Sequence, residues 1–509
     1  MTDRRLTTVI CPLFVFLISS APIREQQDEA LNYLQKYGYL TQSNHLDIKS
    51  ETFKNALKSY QRRYHIHSKD GIIDDETLKK IREKRCGDSD EDMETEDEVK
   101  DLVSRSKRSS MGNGSIKPGQ KVFYNRKIIK WRYVTKSKYI SEYIVRFAIN
   151  NALRLWAEVT PLTFREDTRS DIRNIDIEIS FGKGKHGACP IRFDGHGQAI
   201  AHSWHGAAVH LDDDEMYSYP ARRDSLDLVK VLLHEFGHVL GLRHTAHSDS
   251  IMYAIYLNPF EGYVELHKLD RQAVQNIHGV CKGRFDEVFD WIRPLLSGSI
   301  VYNTFFTRNT VTWLYENSAY RTRYGDPLKI SKQWRGLPQD FKIDAYIQTY
   351  PGYLKSKVYF ISGYKVYRYD SLGMKIENGY PKLISQVFQG ITNDKIDAGY
   401  FDPRDRNIYL IRGSKVFKLK PNSSGASLIS TNSFESQFPI DRSHFETRKR
   451  PLTAPIDSIY YSQYHSSIFI FKDESVYKIA SFNYRSVFVY NLIRIYDNWY
   501  NKWNDICEV

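Results

Sequence analysis

The chain has 509 residues, of which 41% are hydrophobic and 26% charged, and its formal net charge is +12. The mean hydropathy is −0.53, and after the N-terminus no stretch reaches about 18 consecutive apolar residues. These properties exclude an integral membrane protein and predict about three soluble domains. A basic surface can meet acidic glycans, but solubility alone is the simpler explanation of the charge. We expect no nucleic-acid partner.

Residues 1–21 have the pattern of a secretory signal peptide. A charged start at Asp3-Arg4-Arg5 precedes a mostly apolar run from Leu6 to Ile18 and a group of small residues that suits cleavage. The apolar run is too short to cross a bilayer. We therefore expect a secreted protein that works in the extracellular space or matrix.

Residues 22–108 are predicted to form a pro-segment. Apolar residues recur at helical spacing in residues 30–40, 51–66 and 74–84. An acidic run at residues 88–101 is typical of a solvated linker. The sequence Arg105-Ser106-Lys107-Arg108 follows. In a secreted chain it predicts cleavage by a furin-like convertase, which would recognise Arg105 and Arg108.

Residues 109–280 alternate strand and helix patterns. Strands are predicted at residues 127–134, 176–182, 199–204 and 208–213, and helices at residues 143–159 and 270–278. A further helix is predicted around the sequence VLLHEFGHVLGLRHTAHSDSIMY, which starts at Val231. Ser225 is a candidate N-cap for it.

Two histidines of this sequence are spaced to share one helix face. His234 and His238 are four positions apart, and Gly241 lets the chain turn so that His244 can return as a third ligand. Three protein ligands with one open position are the layout of a catalytic zinc site. Glu235, between the first two histidines, can reach a metal-bound water.

Residues 281–509 contain an internal repeat with an apolar-Asp-small core. The four copies are residues 284–288, 342–346, 395–399 and 455–459. Three of the repeats also contain a pair of hydrophobic strands around a polar turn, as in VYFISGYKVYRY. The period and the strand content predict a β-propeller.

The pattern HExxHxxGxxH, followed by Met252, is similar to the metzincin signature. The tract RLWAEVTPLTF narrows the resemblance to the matrix metalloproteinase (matrixin) family. This resemblance implies a multidomain α+β and α/β protein with three parts. They are a helical propeptide with a peptidoglycan-binding-like domain, a catalytic domain with a twisted mixed sheet and helices, and a four-bladed hemopexin-like propeller.

The resemblance also implies the activity. The protein is expected to be a zinc endopeptidase that is made as a zymogen and cleaves extracellular matrix proteins, collagen included. It implies that His234, His238 and His244 bind the catalytic zinc, that Glu235 is the general base and that Met252 packs below the metal. An apolar residue is expected at P1′, next to a wall around Tyr253 and Tyr256. Proteinaceous inhibitors are further expected partners.

Latency in this family depends on the sequence PRCGxPD, whose cysteine occupies the open zinc position. The chain keeps Arg85, Cys86, Gly87 and Asp90. Both prolines are lost, so a leakier zymogen is expected. The thiolate of Cys86 can still bind zinc without them.

The family also binds a structural zinc through His, Asp, His and His. His186, His202 and His210 fit the histidine positions, but Ala188 stands where the family has Asp. The neighbouring Cys189 leaves three alternatives: Cys189 is the fourth ligand, a water completes the site, or the site is lost and Cys189 is simply buried.

The remaining predictions concern a calcium site, a disulfide and two glycosylation sites. The resemblance implies a calcium site, for which oxygen ligands are suited, and a disulfide between Cys281 and Cys507. Two sequons predict glycosylation at Asn113 and Asn422. The predicted calcium ligands are Asp194, Gly195, Gly197, Ala199, Asp212 and Glu215.

Two rival interpretations differ in testable ways. A binding protein with an inactive zinc domain would bind zinc without turnover, but all three histidines and Glu235 are intact. An astacin-like enzyme would have Glu after the third histidine, where this chain has Thr245.

Overall fold

The structure is a computed structural model that describes residues 21–41, 47–90, 127–204, 207–257, 264–294, 299–349, 356–370, 375–439, 452–484, 488–503 and 505–508. The predicted signal peptide is almost wholly outside these residues. Arg105, Arg108 and Asn113 also lie outside them. In the described part of the chain, none of the helices has the length and apolar character needed to cross a bilayer.

The pro-segment begins with three helices: α1 (Ala21–Lys36), α2 (Glu51–Arg63) and α3 (Asp75–Ile81). Ser50 starts α2 by accepting a hydrogen bond from the Phe53 N–H, and Asp74 starts α3 in the same way. Their apolar faces form one core, which also includes Tyr253, Ala254 and Ile255 of the next domain. The pro-segment therefore packs directly on the chain that follows the three histidines.

The second part is a mixed sheet covered by helices. Its strands are β1 (Arg85–Cys86), β2 (Ile128–Thr135), β3 (Thr163–Glu166), β4 (Ile177–Gly182), β5 (Ala199–Trp204) and β6 (Ala208–Asp212), in the order β1-β5-β6-β4-β2-β3. Neighbours pair in parallel, except that β5 runs antiparallel to β6. The pro-segment strand β1 covers the free edge of β5, which would otherwise expose unpaired backbone groups.

Three helices accompany this sheet: α4 (Glu142–Ala157), α5 (Leu228–Val239) and α6 (Lys268–His278). A short pair, β7 (Tyr217–Ser218) and β8 (Leu226–Asp227), precedes α5. The buried faces of α4 and α5 share a core with the central strands, including Trp131, Trp156 and Phe236. Helix α5 is buried along its whole length, so the predicted histidines lie inside the domain.

Four twisted sheets make up the C-terminal part, and this confirms the predicted four-bladed propeller. Their strands are β9 (Glu287–Pro294), β10 (Ile300–Arg308), β11 (Val311–Glu316), β12 (Arg321–Thr322) and β13 (Leu328–Lys329); β14 (Ala345–Thr349), β15 (Lys357–Ser362), β16 (Lys365–Tyr369) and β17 (Lys382–Leu383); β18 (Phe388–Gln389), β19 (Ala398–Asp402), β20 (Asn407–Arg412), β21 (Lys415–Pro421) and β22 (Ala426–Ser433); β23 (Ser458–Ser462), β24 (Ser467–Lys472), β25 (Ser475–Tyr484) and β26 (Phe488–Asn498). Short helices α7 (Ile330–Gln333), α8 (Ile384–Val387) and α9 (Phe434–Gln437) connect them. The inner strands β9, β14, β19 and β23 contact one another in a closed ring.

The repeated aspartate has the same role in every blade. In each one its carboxylate accepts a hydrogen bond from a backbone N–H at the hairpin turn of that blade, from Asn309, Gly363, Gly413 or Asp473. All four donors have positive φ, so the acceptor stabilises a tight turn. The accepting residues are Asp286, Asp344, Asp397 and Asp457. Each copy of the sequence repeat therefore marks the start of an inner strand and supplies the acceptor for the hairpin turn of its blade.

The propeller is closed and anchored at its ends. Cys281 and Cys507 form a disulfide across 226 positions. Arg271 of α6 pairs with Asp505 at 2.7 Å, and both side chains are largely buried. Because only Gly279 and Val280 separate α6 from Cys281, the propeller follows the preceding domain almost without a linker.

We predict that replacing both cysteines, as in Cys281→Ser with Cys507→Ser, destabilises the propeller by about 2–5 kcal/mol, since the bond no longer restricts the unfolded chain. Urea unfolding of the oxidised wild type and of the double variant measures the difference. The reduced wild type is the matched control and should behave like the variant. Equal stability of all three proteins would contradict the prediction.

Candidate active site

Helix α5 carries His234, Glu235 and His238. Its N-cap is Asp227, whose carboxylate accepts from the N–H groups of Val229 and Lys230. The prediction that Ser225 caps the helix was therefore wrong; the Ser225 hydroxyl instead lies 2.5 Å from that of Ser218. Serine and aspartate both suit an N-cap. The N-cap lies two residues later than predicted because β7 pairs with β8 just before the helix.

The helix ends where the sequence predicted a turn. Gly241 has φ of +98°, a conformation that favours glycine. The Leu242 N–H closes the end by bonding to the Gly237 carbonyl oxygen at 2.9 Å. The chain then returns toward the helix and brings His244 beside the other two imidazoles.

The three imidazoles converge through the same ring nitrogen. The Nε2–Nε2 distances are 3.1 Å between His234 and His238, 3.3 Å between His234 and His244, and 3.1 Å between His238 and His244. Ligands at about 2.0–2.1 Å from a tetrahedral zinc would lie about 3.3 Å apart. This spacing fits one zinc ion.

The second nitrogen of each ring fixes its tautomer. The Nδ1–H of His234 donates to the Ile251 carbonyl at 2.6 Å, and that of His238 to the Leu242 carbonyl at 3.0 Å. The Nδ1–H of His244 donates to the Asp90 carboxylate at 2.9 Å. Since Nδ1 holds the proton, each Nε2 presents a lone pair to the common point. Burial also lowers the pKa of His234 well below its usual value, which keeps the ring neutral.

Glu235 faces the same space. It is 1% exposed, and its Oε2 is buried with no hydrogen-bond partner among the described residues. Burial, with a smaller contribution from the Asp88 carboxylate, raises the pKa of Glu235 well above its usual value. When it is ionised, a carboxylate with a raised pKa is a stronger base than an ordinary one.

Met252 packs against the underside of α5. A Cβ placed on Gly237 would lie 2.3 Å from the Met252 sulfur, so this position of the helix has room only for glycine. Asp270 of α6 holds the turn before Met252 by accepting from the Ser250 hydroxyl at 2.5 Å and the Ile251 N–H at 3.0 Å. The sequence pattern gave no functional signal for Asp270.

Residues 84–90, which we call the switch segment, lie in the cleft between β5 and the chain around Ala254. The Arg85 and Gly87 N–H groups donate to the Gln198 and Ala201 carbonyls. On the other side, the Cys86 N–H donates to the Ala254 carbonyl at 2.9 Å. The Cys86 sulfur lies 3.6 Å from His238 Nε2, and it forms with the three histidines a group whose ligand atoms lie within 4.8 Å of one another.

A buried ion pair within the switch segment is surrounded by tyrosines of the helical part of the pro-segment. Arg85 pairs with Asp90 at 2.6 Å, and neither side chain is exposed. The Arg85 guanidinium also stacks on the Tyr37 ring at 3.7 Å. The Tyr39 and Tyr64 hydroxyls donate to Asp90 at 2.9 and 2.7 Å. This charge is thus paired and hydrogen-bonded, as a buried charge must be.

A second histidine cluster joins β5 and β6 with the loop between β4 and β5. His186 Nε2 and His202 Nε2 are each 3.1 Å from His210 Nδ1, and the Cys189 sulfur is 3.3 Å from His202 Nε2. Burial lowers the pKa of His202 to about 3 and that of His210 to about 4, so both rings are neutral. The position of Cys189 makes this a closed set of four donors.

The residues predicted to bind calcium lie in two stretches, 194–199 and 212–215, which together we call the acidic loop. Asp194 pairs with Lys36 of α1 at 2.8 Å, and the buried Glu215 pairs with Lys84. Glu215 also accepts from the Gly197 N–H at 2.7 Å. The fully buried Asp212 has one oxygen, Oδ2, that lacks a partner among the described residues. Gly195 lies in the loop before β5, Ala199 is the first residue of that strand, and Asn422 is exposed in a turn of the propeller.

A mixed sheet, three converging histidines beside a buried glutamate, and a four-bladed propeller together define a zinc metalloendopeptidase of the matrixin type. The comparisons agree. The profile of the family described as Matrixin matches residues 123–279, that of Hemopexin residues 353–393, and that of a putative peptidoglycan binding domain residues 26–81.

The chain is similar to relatives from several species that are named matrix metalloproteinase-21 or matrix metallopeptidase-21. It is 32% identical to matrix metallopeptidase-21 of Danio rerio, over 90% of this chain and 82% of that protein. It is 33% identical to matrix metalloproteinase-21 of Xenopus laevis, over 91% and 83%, and 37% identical to that of Homo sapiens, over 74% and 67%. The chain belongs to the matrix metalloproteinase family, which confirms the resemblance.

We predict that, in the protein not cut after Arg108 (the uncut protein), Arg85→Ala lowers the free energy of opening of the pro-segment by about 3–5 kcal/mol. The substitution leaves the Asp90 carboxylate buried without its guanidinium partner. Hydrogen exchange of the amides of α1, α2 and α3 measures this energy. Arg82→Ala is the matched control, since Arg82 pairs with Glu29 at the surface, and should cost less than about 1 kcal/mol. Similar losses in both variants would contradict the prediction.

Proposed function

We propose that the protein is a secreted zinc endopeptidase, made as a zymogen, that cleaves extracellular proteins, matrix proteins among them, after a furin-like convertase cuts at Arg108. The observation that carries the proposal is the set of three Nε2 atoms within 3.3 Å of one another beside Glu235. Family membership supports the same reaction.

The three histidines fit zinc in number, tautomer and spacing. When bound, zinc supplies a Lewis acid that polarises the scissile carbonyl and lowers the pKa of a bound water toward about 7. Glu235 takes the proton of the attacking water on its free oxygen and transfers it to the leaving amine.

Binding of the substrate uses the backbone that the switch segment now occupies. Strand β5 and the residue before it offer the Ala201 and Gln198 carbonyls, and the opposite side offers that of Ala254. An extended peptide can therefore lie between them as an added strand. The pocket beside Glu235 is lined by Val231, Tyr253 and Tyr256 among others, which favours an apolar P1′ side chain.

Latency follows from the place of Cys86. Zinc ligands of sulfur and nitrogen at about 2.3 and 2.0–2.1 Å would lie about 3.5 Å apart, close to the 3.6 Å between the Cys86 sulfur and His238 Nε2. The thiolate would complete the tetrahedron and exclude water. Removing the pro-segment opens this position.

The second cluster supports a structural zinc with an unusual fourth ligand. His186, His202, His210 and Cys189 offer four donor atoms within 4.8 Å of one another, and four protein ligands are typical of a closed, structural site. Cys189 would take the place of the aspartate of the family.

The acidic loop supports a calcium site. Burial raises the pKa of Asp212 to about 6, and an ionised buried carboxylate requires a cation. Asp194, Asp212 and Glu215 would supply the charged oxygens, and Gly195, Gly197 and Ala199 are the proposed backbone ligands. Exposure of Asn422 in a turn supports its glycosylation.

We predict that Glu235→Gln lowers kcat/KM of the cut enzyme by at least about a hundredfold, because the variant cannot accept a proton. A quenched-fluorescent peptide with Leu at P1′ measures turnover, and a chelator should abolish it. The exposed Glu435→Gln is the matched control and should leave turnover unchanged. Zinc binding without turnover in the cut wild type would instead favour the binding-protein interpretation.

We predict that the cut protein binds two zinc ions and that Cys189→Ala binds one. Cobalt substitution reports the ligand, since a thiolate-to-cobalt charge-transfer band requires a cysteine. The band should be present in the cut wild type and absent in Cys189→Asp, which still has four donors and should keep two ions. A band of equal strength in both proteins would contradict this assignment.

A further inference from the structure

Asp88, two residues after Cys86, occupies the cleft together with the catalytic groups. One of its oxygens, Oδ2, accepts from the Ser203 N–H at 3.3 Å and from the Ser203 hydroxyl at 2.8 Å. The same oxygen is 3.7 Å from His238 Nε2. Asp88, Cys86, Glu235 and His238 form a group whose ligand atoms lie within 4.8 Å of one another.

The contacts of Asp88 with Ser203 attach the switch segment to strand β5. Hydrogen bonds to an ionised carboxylate are about twice as strong as neutral ones, and the Asp88 side chain is only 17% exposed. At the other end of the segment Lys84 pairs with the fully buried Glu215. The segment is therefore held on both sides of Cys86 by charged side chains.

These two residues lie at or next to the positions where the family motif has its prolines. Lys84 replaces the first proline, and Asp88 precedes Ser89, which replaces the second. Prolines stiffen a segment by restricting its backbone. Here specific contacts with the catalytic domain replace part of that stiffness.

We propose that Asp88 is a second latch of the zymogen, which holds the switch segment in the cleft through Ser203 independently of the thiol of Cys86. The proposal rests on the latency proposed above. Because the segment also makes backbone bonds to Gln198, Ala201 and Ala254, loss of the thiol alone leaves the cleft filled. Thiol reagents should then activate the uncut protein poorly.

The first test uses the zinc-loaded uncut protein, kept intact by Arg108→Ala. The alkylation rate of Cys86, followed by peptide mass spectrometry, should rise about ten- to a hundredfold in Asp88→Ala because two charged hydrogen bonds are lost. Ser203→Ala should give a smaller rise, since its N–H remains. Asp88→Asn keeps an acceptor and should restore part of the protection. Ser89→Ala is the matched control in the same segment, because the Ser89 hydroxyl bonds within the pro-segment, to the Tyr37 carbonyl, and it should change the rate much less than Asp88→Ala.

The second test measures turnover of the same uncut protein. Cys86→Ala should stay largely inactive, and Cys86→Ala with Asp88→Ala should turn over substrate. Full activity of Cys86→Ala alone, or an unchanged alkylation rate in Asp88→Ala, would overturn the second latch. If cut wild-type protein shows no turnover, the proposed protease activity fails, but the alkylation rates still decide the role of Asp88.

Discussion

The convergence of three imidazole lone pairs on one point is the constraint that organises the centre of this molecule. Without a cation, three acceptors at 3.1–3.3 Å would repel one another. Each lone pair is directed inward by an Nδ1–H bond to a fixed acceptor. The buried helix α5, the turn at Gly241 and the chain before Met252 all supply either a ligand or one of these acceptors. The stability of this region therefore depends on the metal that it is built to bind.

Strand β5 provides backbone groups with which both the switch segment and an extended peptide can pair. As the antiparallel edge strand of the sheet, it offers backbone groups that any extended chain can pair with. The switch segment pairs there first, in parallel, through Arg85 and Cys86. In the proposed enzyme, a substrate would pair with the same groups once the pro-segment is removed. Under that proposal latency and substrate binding are competing uses of one sheet edge, and the strength of latency is the strength of all contacts of the segment.

The sequence predicted the parts of the site that depend on local spacing. The interval between His234 and His238 defines a helix face, and the repeated aspartate marks each blade because it bonds within its own blade. The long-range contacts could not be predicted in this way. Asp88 with Ser203, Lys84 with Glu215, and Asp90 with His244 join residues 115, 131 and 154 positions apart. They exist only because the pro-segment packs on the catalytic domain. Similarly, the sequence left three alternatives for Cys189, and only the folded loop shows that its sulfur lies beside the His202 imidazole.

The contact between Asp90 and His244 links latency to the metal itself. The acceptors of His234 and His238 are backbone carbonyls of Ile251 and Leu242, which remain after processing. The acceptor of His244 belongs to the pro-segment and leaves with it. A carboxylate partner raises the basicity of a ligating imidazole, and Arg85 fixes that carboxylate in place. Under the proposed activation, removal of the pro-segment would open the position that Cys86 occupies and would also take away the carboxylate partner of His244. Both changes would leave a bound zinc a stronger Lewis acid than it is in the proposed zymogen.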